Sequence, residues 1–277
     1  MPVRKAGTVA FHALRLVFVA MVAARVGFGR GYAVGRDLLP LVPAYAVVTV
    51  TSRWRGAPDS PRVAPEPLAV AAPVTGRWSA LNSPADRTPS HGIHAHGQTC
   101  AIDVLAEPGP DARPGFGRVG PIARPTRDFP SFGAPVLAAA DATVVRAADG
   151  QRDHLSRHSP PGLVHLMPVE GVVRELTGTG RILGNHVVLD LGNGTYAAYA
   201  HLRRGSLTVL EGDRVRAGRP IARCGDSGNS TEPRLHFQLM DAPDPDAARG
   251  VPFTWNGIGV PRDKETFEAP PAALHST

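Results

Sequence analysis

The stretch of sequence that decides the fold runs from Gly225 to Gln238 and reads GDSGNSTEPRLHFQ. A glycine-rich segment leads here into a short apolar run, and such a run bounded by turn residues predicts a strand. Alternate residues of a strand face the same way, so Arg234 and His236 share one face while Leu235 turns toward the core. The side chains of Arg234 and His236 are therefore presented together on one side of the strand.

Short apolar runs separated by turns recur on either side of this stretch. The clearest strand candidates are residues 134–138, 142–147, 185–191, 195–202 and 235–240. Gly192-Asn193-Gly194 predicts a tight hairpin turn between two of them. Many short strands at this spacing predict an all-β, mostly antiparallel fold. The 28 prolines and 30 glycines of the 277 residues agree with numerous turns.

The pattern along the chain predicts five segments. They are an apolar, membrane-associated N-terminal segment (1–55), a Pro/Ala-rich linker (56–76), a β domain (77–255), a loop insertion within that domain (151–181) and a C-terminal surface extension (256–277). No internal repeat is visible.

The N-terminal segment predicts membrane association through residues 8–50. Residues 8–28 are long enough to span a bilayer, although Arg15 and Arg25 interrupt them. The flanking basic clusters give no clean orientation. The alternative is an amphipathic or poorly ordered extension. With the β domain outside the cytoplasm, the expected location is the cell envelope; a secreted or cytoplasmic protein is the other option.

Composition narrows the partners. Lysine and arginine number 30 against 24 acidic residues, a net charge of +6, which favours anionic partners such as cell-wall polymers or membrane surfaces. The alternative explanation of this charge balance is a genome of high G+C content, which favours alanine, arginine, glycine and proline. No basic block with interleaved aromatic residues is present, so nucleic-acid binding is not expected. Cys100 and Cys224 permit one disulfide, and the sequence leaves open whether they pair.

Potential metal ligands concentrate upstream in SHGIHAHGQTCAID, which ends at Asp103. A catalytic zinc ion takes three ligands from His, Asp or Glu and keeps one position for water. His91, His94 and His96 cannot all be needed beside Asp103 and His236. The choice among the three stays open, and a His-rich loop without metal is the alternative.

Three segments, taken together and in this order, resemble the lysostaphin/LytM-type zinc metallopeptidases. They are the His…Asp segment ending at Asp103, the Tyr-x-His-Leu segment at 199–202 and the stretch 225–238. The resemblance spans about residues 77–255. It implies a small, mostly antiparallel β scaffold that uses Zn²⁺ to cleave peptide bonds of bacterial peptidoglycan, so the implied partner is a peptidoglycan peptide.

The resemblance also implies roles for individual residues. Asp103 and His236 match zinc-ligand positions, and His201 matches a histidine that orients the water or stabilises the oxyanion. The separation from Asp103 resembles a longer-loop subgroup, which favours His91 as the first ligand, with His94 and His96 as alternatives.

Arg234 departs from the family pattern because it stands in the slot of a catalytic histidine. Arginine stays protonated and cannot act as a general base, although it can stabilise an oxyanion. The sequence therefore allows a zinc endopeptidase that relies on His201. It also allows a catalytically impaired domain that binds cell wall or regulates another cell-wall hydrolase, and a purely structural zinc domain.

Overall fold

Thirteen strands form most of the regular structure in the computed structural model, which describes residues 66–109, 111–117, 121–159, 174 and 178–271. They are β1 (Leu68–Val70), β2 (Gly76–Leu81), β3 (Ile102–Ala106), β4 (Pro135–Leu137), β5 (Ala142–Ala148), β6 (Asn185–Asp190), β7 (Tyr196–Leu202), β8 (Arg214–Val215), β9 (Pro220–Arg223), β10 (Leu235–Met240), β11 (Gly250–Val251), β12 (Phe253–Trp255) and β13 (Thr266–Ala269).

Helical structure is slight in the described part of the chain. One short α-helix, α1, covers Thr179–Leu183, and 3₁₀ turns cover Ala95–Cys100 and Thr126–Asp128. The prediction of an all-β fold is confirmed.

One antiparallel sheet of nine strands carries the architecture. Its order is β13-β2-β3-β10-β7-β6-β5-β8, and β11 pairs with the end of β10. The expected hairpin between β6 and β7 turns through Gly192, Asn193 and Gly194, all with positive φ. The pair β4–β9 is antiparallel and β1–β12 is parallel. β10 therefore lies in the interior of the sheet, between β3 and β7.

The two faces of β10 have different roles. Leu235, Phe237 and Leu239 are fully buried in the main hydrophobic core. Because side chains alternate along a strand, His236 and Gln238 project from the opposite face. The apolar residues thus fix the strand and its register, and the polar ones are presented together on one side.

Both ends of the β domain extend further than the sequence indicated. Val70 and Val74, in the expected linker, are buried in the core. β13, in the expected surface extension, pairs with β2 and buries Phe267. Burial of a few apolar side chains is enough to hold such short segments against the core. The sequence did not predict them as strands, because an alternating pattern cannot be recognised in three or four residues.

Two of the expected segments lie wholly or largely outside the described residues. The apolar segment 1–55 is wholly outside. Most of the insertion, 160–173 and 175–177, is likewise outside. Among the described residues, no helix has the length and apolar character needed to cross a membrane.

Candidate metal centre

Strand register brings the central residues of the site together. His236 on β10 lies directly opposite Asp103 on β3 and opposite Ala200 on β7. Asp103 is completely buried. Its Oδ1 lies 2.9 Å from His236 Nδ1, and its Oδ2 lies 3.2 Å from His91 Nε2.

His91, Asp103 and His236 form the one group of three or more His, Cys, Asp or Glu residues in the described ranges whose ligand atoms approach one another as a metal site requires. These atoms all lie within 4.8 Å of each other. The other two histidines of the upstream segment have different partners: His94 contacts Thr99 Oγ1 at 3.1 Å and His96 contacts Asp246 at 3.0 Å.

Ser90 fixes the ring of His91. The Ser90 hydroxyl donates to the Gln98 carbonyl (3.2 Å) and lies 3.1 Å from His91 Nδ1. A carbonyl only accepts, so both hydrogen bonds form together only if His91 Nδ1 carries the proton and donates to Ser90 Oγ. Burial lowers the pKa of His91, despite opposing contributions from Asp103. The neutral ring therefore presents the Nε2 lone pair to Asp103.

Gln238 fixes the ring of His236 in the same way. Its Nε2 donates to the His96 carbonyl (2.8 Å), which leaves Oε1 to accept a hydrogen bond from His236 Nε2, also at 2.8 Å. In the neutral ring, Nδ1 is then unprotonated and faces Asp103 Oδ1. Electron pairs from two imidazoles and one carboxylate converge here, and a metal ion or a proton on one of the rings would relieve their mutual repulsion.

This donor set fits zinc. Two imidazole nitrogens and one carboxylate oxygen are the three-ligand complement of catalytic zinc sites. Each histidine also has its second nitrogen held by a neighbour, which is the usual support of a metal-binding imidazole. Asn82 Nδ2 donates to Asp103 Oδ2 (3.0 Å) and fixes the carboxylate.

Arg234 adds a permanent cation to this cluster. Its Nε lies 3.2 Å from Asp103 Oδ2, an ion pair whose angle falls short of a hydrogen bond. Its NH1 and NH2 donate to Thr231 Oγ1 (3.1 Å) and the Asn229 carbonyl (3.3 Å). Burial opposes ionisation of Asp103, but Arg234 and the two histidines outweigh it and hold its pKa well below the usual range.

A backbone irregularity directs His201 toward the site. On β7, Ala197 and Tyr199 face the core, so strict alternation would bury residue 201 there as well. Instead His201 adopts φ 61°, the β6–β7 register shifts here, and Leu202 enters the core. The ring of His201 then lies with its centroid 5.8 Å from that of His236. Bulges of this kind commonly re-aim a side chain beside an active site.

Ser227 orients the re-aimed histidine. The Ser227 carbonyl accepts a hydrogen bond from His201 Nδ1 at 2.9 Å, which leaves the Nε2 lone pair free. Burial and the nearby Arg234 cation hold the pKa of His201 well below its ordinary value. His201 is thus a neutral proton acceptor beside the His91–Asp103–His236 cluster.

We expect Gly228→Ala to displace Ser227 and to destabilise the domain by about 2–5 kcal/mol, the sum of overpacking and a left-handed alanine. Gly228 has φ +72°, and a Cβ on it would lie 2.4 Å from Gly184 N. Gly194→Ala is the matched control, because Gly194 has φ +77° with nothing within 4 Å of its Cβ position. Chemical denaturation should show a loss of about 1 kcal/mol for the control; equal losses would contradict the packing argument.

The sequence did not predict the roles of several residues of the site. Asn82, Ser90 and Gln238 form hydrogen bonds with the three proposed ligands. The sequence does not reveal such a supporting role, because a single polar residue can be assigned one only when the position of its partner is known. Both cysteines, Cys100 and Cys224, are buried free thiols, so the disulfide that the sequence permitted is absent from the described structure.

Comparison with known proteins finds a family resemblance for part of the chain. Residues 166–247 match the model of peptidase family M23. Over these residues the chain is similar to peptidase family M23. The M23 region contains His201, Arg234 and His236, whereas His91 and Asp103 precede it. The expected family resemblance is confirmed for this region.

Parts of the chain are also similar to parts of longer curated proteins. The cell division protein DipM of Caulobacter vibrioides is 33% identical over 95 residues, 34% of this chain and 15% of DipM. The peptidoglycan DD-endopeptidase ShyA of Vibrio cholerae is 35% identical over 71 residues, 26% of this chain and 16% of ShyA. The matched segment therefore spans only about a sixth of either relative.

A solved structure gives a weaker likeness. The catalytic domain of the antimicrobial peptidase lysostaphin from Staphylococcus simulans is 20% identical, with 57% of this chain and 76% of that chain covered and a TM-score of 0.32. At this TM-score the likeness supports no statement about fold or activity.

Proposed function

We propose that residues 66–271 form a zinc-dependent endopeptidase domain that acts on peptide bonds of bacterial peptidoglycan. The observation that carries the proposal is the convergence of His91 Nε2, Asp103 and His236 Nδ1, with both imidazole tautomers fixed by second partners. The M23 match supports a peptidase, and the likeness to ShyA supports peptidoglycan as the substrate.

The residues divide the chemistry among them. His91, Asp103 and His236 would hold the zinc ion, which when bound polarises the scissile carbonyl and lowers the pKa of a water molecule. His201 would take up a proton from the attacking water at Nε2, because its Nδ1 is committed to the Ser227 carbonyl. Arg234 cannot accept a proton, but its cation can stabilise negative charge on the carbonyl oxygen.

The same proposal fixes where the domain works. A peptidoglycan peptide is the partner, which requires the β domain to lie outside the cytoplasm, in the cell envelope. Anchoring through residues 8–50 remains part of the proposal, supported only by the apolar sequence there.

The purified protein should bind about one equivalent of zinc, and His236→Ala should abolish this stoichiometric binding. The substitution removes a nitrogen that lies 2.9 Å from Asp103 Oδ1. His94→Ala is the matched control, since His94 contacts Thr99 outside the cluster. Metal content by mass spectrometry measures both variants. A full equivalent of zinc in His236→Ala would show that the metal site lies elsewhere.

Cleavage is tested separately from metal binding. The zinc-loaded protein is incubated with purified cross-linked muropeptides, and new amino termini are identified by mass spectrometry. Cleavage that His201→Ala abolishes, without loss of zinc, supports the proposed enzyme. Stoichiometric zinc without cleavage of any muropeptide would argue for a binding or regulatory domain instead.

A further inference from the structure

Gln238 lies two residues beyond His236 on β10, so both side chains project from the same face of the strand. It is completely buried. Its carboxamide spans two partners at once: Oε1 accepts from His236 Nε2, and Nε2 donates to the His96 carbonyl, both at 2.8 Å. A buried amide with both ends paired has a single orientation.

The His96 carbonyl is itself held in an uncommon conformation. His96 and Gly97 both have left-handed backbones, φ 60° and 69°. A Cβ on Gly97 would lie 2.9 Å from Gln238 Nε2, so the turn packs tightly on the amide. The His96 ring contacts Asp246 (3.0 Å) and Thr179 (3.1 Å), which anchors the turn from the other side.

We propose that Gln238 is a positioning residue for His236: it holds the proton on Nε2 and thereby keeps Nδ1 free and aimed at the metal position. The inference rests on the proposed zinc site. His96, one of the alternative ligands suggested by the sequence, supports the site through its carbonyl and not through its ring. The turn 95–100 thus acts on the metal centre indirectly, by orienting Gln238.

An amide suits this position better than a carboxylate for a physical reason. Toward His236 an acceptor is needed, and toward the His96 carbonyl a donor is needed. Glutamate supplies the first and lacks the second, whereas leucine supplies neither. The pair of substitutions therefore separates the action on His236 from the contact with the His96 turn.

The experiment measures zinc affinity of the full chain by competition with a chelator. We expect Gln238→Leu to raise the zinc dissociation constant about 10–100-fold, the usual cost of losing such a partner. Gln238→Glu should stay within about threefold of wild type, because it retains the acceptor. Gln151→Leu is the matched control, since Gln151 donates to the Gly180 carbonyl away from the site, and its affinity should equal that of wild type.

A purely structural role predicts a different pattern. If Gln238→Glu and Gln238→Leu lose zinc equally, the effect comes from the broken His96 contact and the proposal is overturned. A Gln238→Leu variant with unchanged affinity overturns it too. In both cases His236→Ala still loses zinc, so the metal site itself stands. A wild-type chain that binds no zinc overturns the proposed function and this inference with it.

Nuclear magnetic resonance tests the proposal without any variant at Gln238. In the ¹⁵N-labelled, zinc-loaded wild type, the side-chain nitrogens of His236 should report a protonated Nε2 and a coordinated Nδ1. The opposite tautomer, with Nδ1 protonated, would overturn the positioning role even if Gln238→Leu fails to fold.

Discussion

Replacing Arg234 by histidine is expected to raise the rate of muropeptide cleavage by about 10²–10⁴-fold, the usual worth of a positioned proton-transfer group. Residue 234 immediately precedes β10, two positions before His236, and it already contacts Asp103. Histidine at this position can exchange a proton, which arginine cannot. The substitution also removes a fixed cation that would compete with a metal ion for the Asp103 carboxylate at the proposed site.

Two control variants separate these contributions. Arg234→Gln removes the cation without adding a proton-transfer group, so it should improve zinc affinity but not reproduce the gain in rate. Arg262→His introduces a histidine at an exposed surface position, 74% accessible, and should change neither. The measurement is kcat/KM on a defined muropeptide, with zinc content determined for each preparation. If the wild type already cleaves muropeptides at full rate and Arg234→His does not increase that rate, Arg234 does not impair catalysis.

Asp103→Asn is expected to destabilise the fold by about 3–5 kcal/mol, in addition to weakening zinc binding. Asp103 is completely buried and balances the Arg234 cation. Asparagine keeps the size but leaves that cation without a counter-charge, and one partner broken from a buried ion pair is costly. Urea unfolding of the metal-free protein measures the loss.

A double-variant cycle identifies the source of this loss. Asp103→Asn combined with Arg234→Met removes both charges and should recover much of the stability. Asp246→Asn is the control, because Asp246 is largely exposed and should cost less than about 1 kcal/mol. If the losses of unfolding free energy in the two single variants add up in the double variant, the two charges do not stabilise each other.

The pH dependence of Asp103 has a definite sign. Its folded-state pKa is depressed, so the stability contributed by its ionised form is complete above the unfolded carboxyl pKa of about 3.9 and is lost as the pH falls through the folded-state value. The difference in unfolding free energy between wild type and Asp103→Asn should therefore shrink at acid pH below about 4.

Much of the sheet was predictable because its strands carry their own local signals. The segments 134–148, 185–202 and 235–240 combine alternating apolar residues with glycine turns, and each forms strands in the structure. The short strands β1, β11, β12 and β13 were not predictable from alternation. They exist because the core and a neighbouring strand hold them, and neither is visible in a run of two to four residues.

The candidate site was only partly predictable for a similar reason. Asp103 and His236 could be selected because the motifs around them are specific, but the sequence left His91, His94 and His96 as alternatives. The path of the loop before β3 brings only His91 to Asp103, and it directs His96 to Asp246. Loop paths depend on contacts far apart in sequence, so spacing alone could not choose.

The sequence by itself determined the all-β class, the strands around the site and the departure at Arg234. Tertiary structure alone decided what Arg234 does, because its significance comes from an ion pair with a residue 131 positions away in a neighbouring strand. It also decided the direction of the His201 side chain. Strict alternation would place this side chain in the core, but the left-handed backbone of His201 turns it toward His236. Local patterns specify which residues form strands, whereas charge pairing and side-chain direction at a bulge arise only when separate strands are packed together.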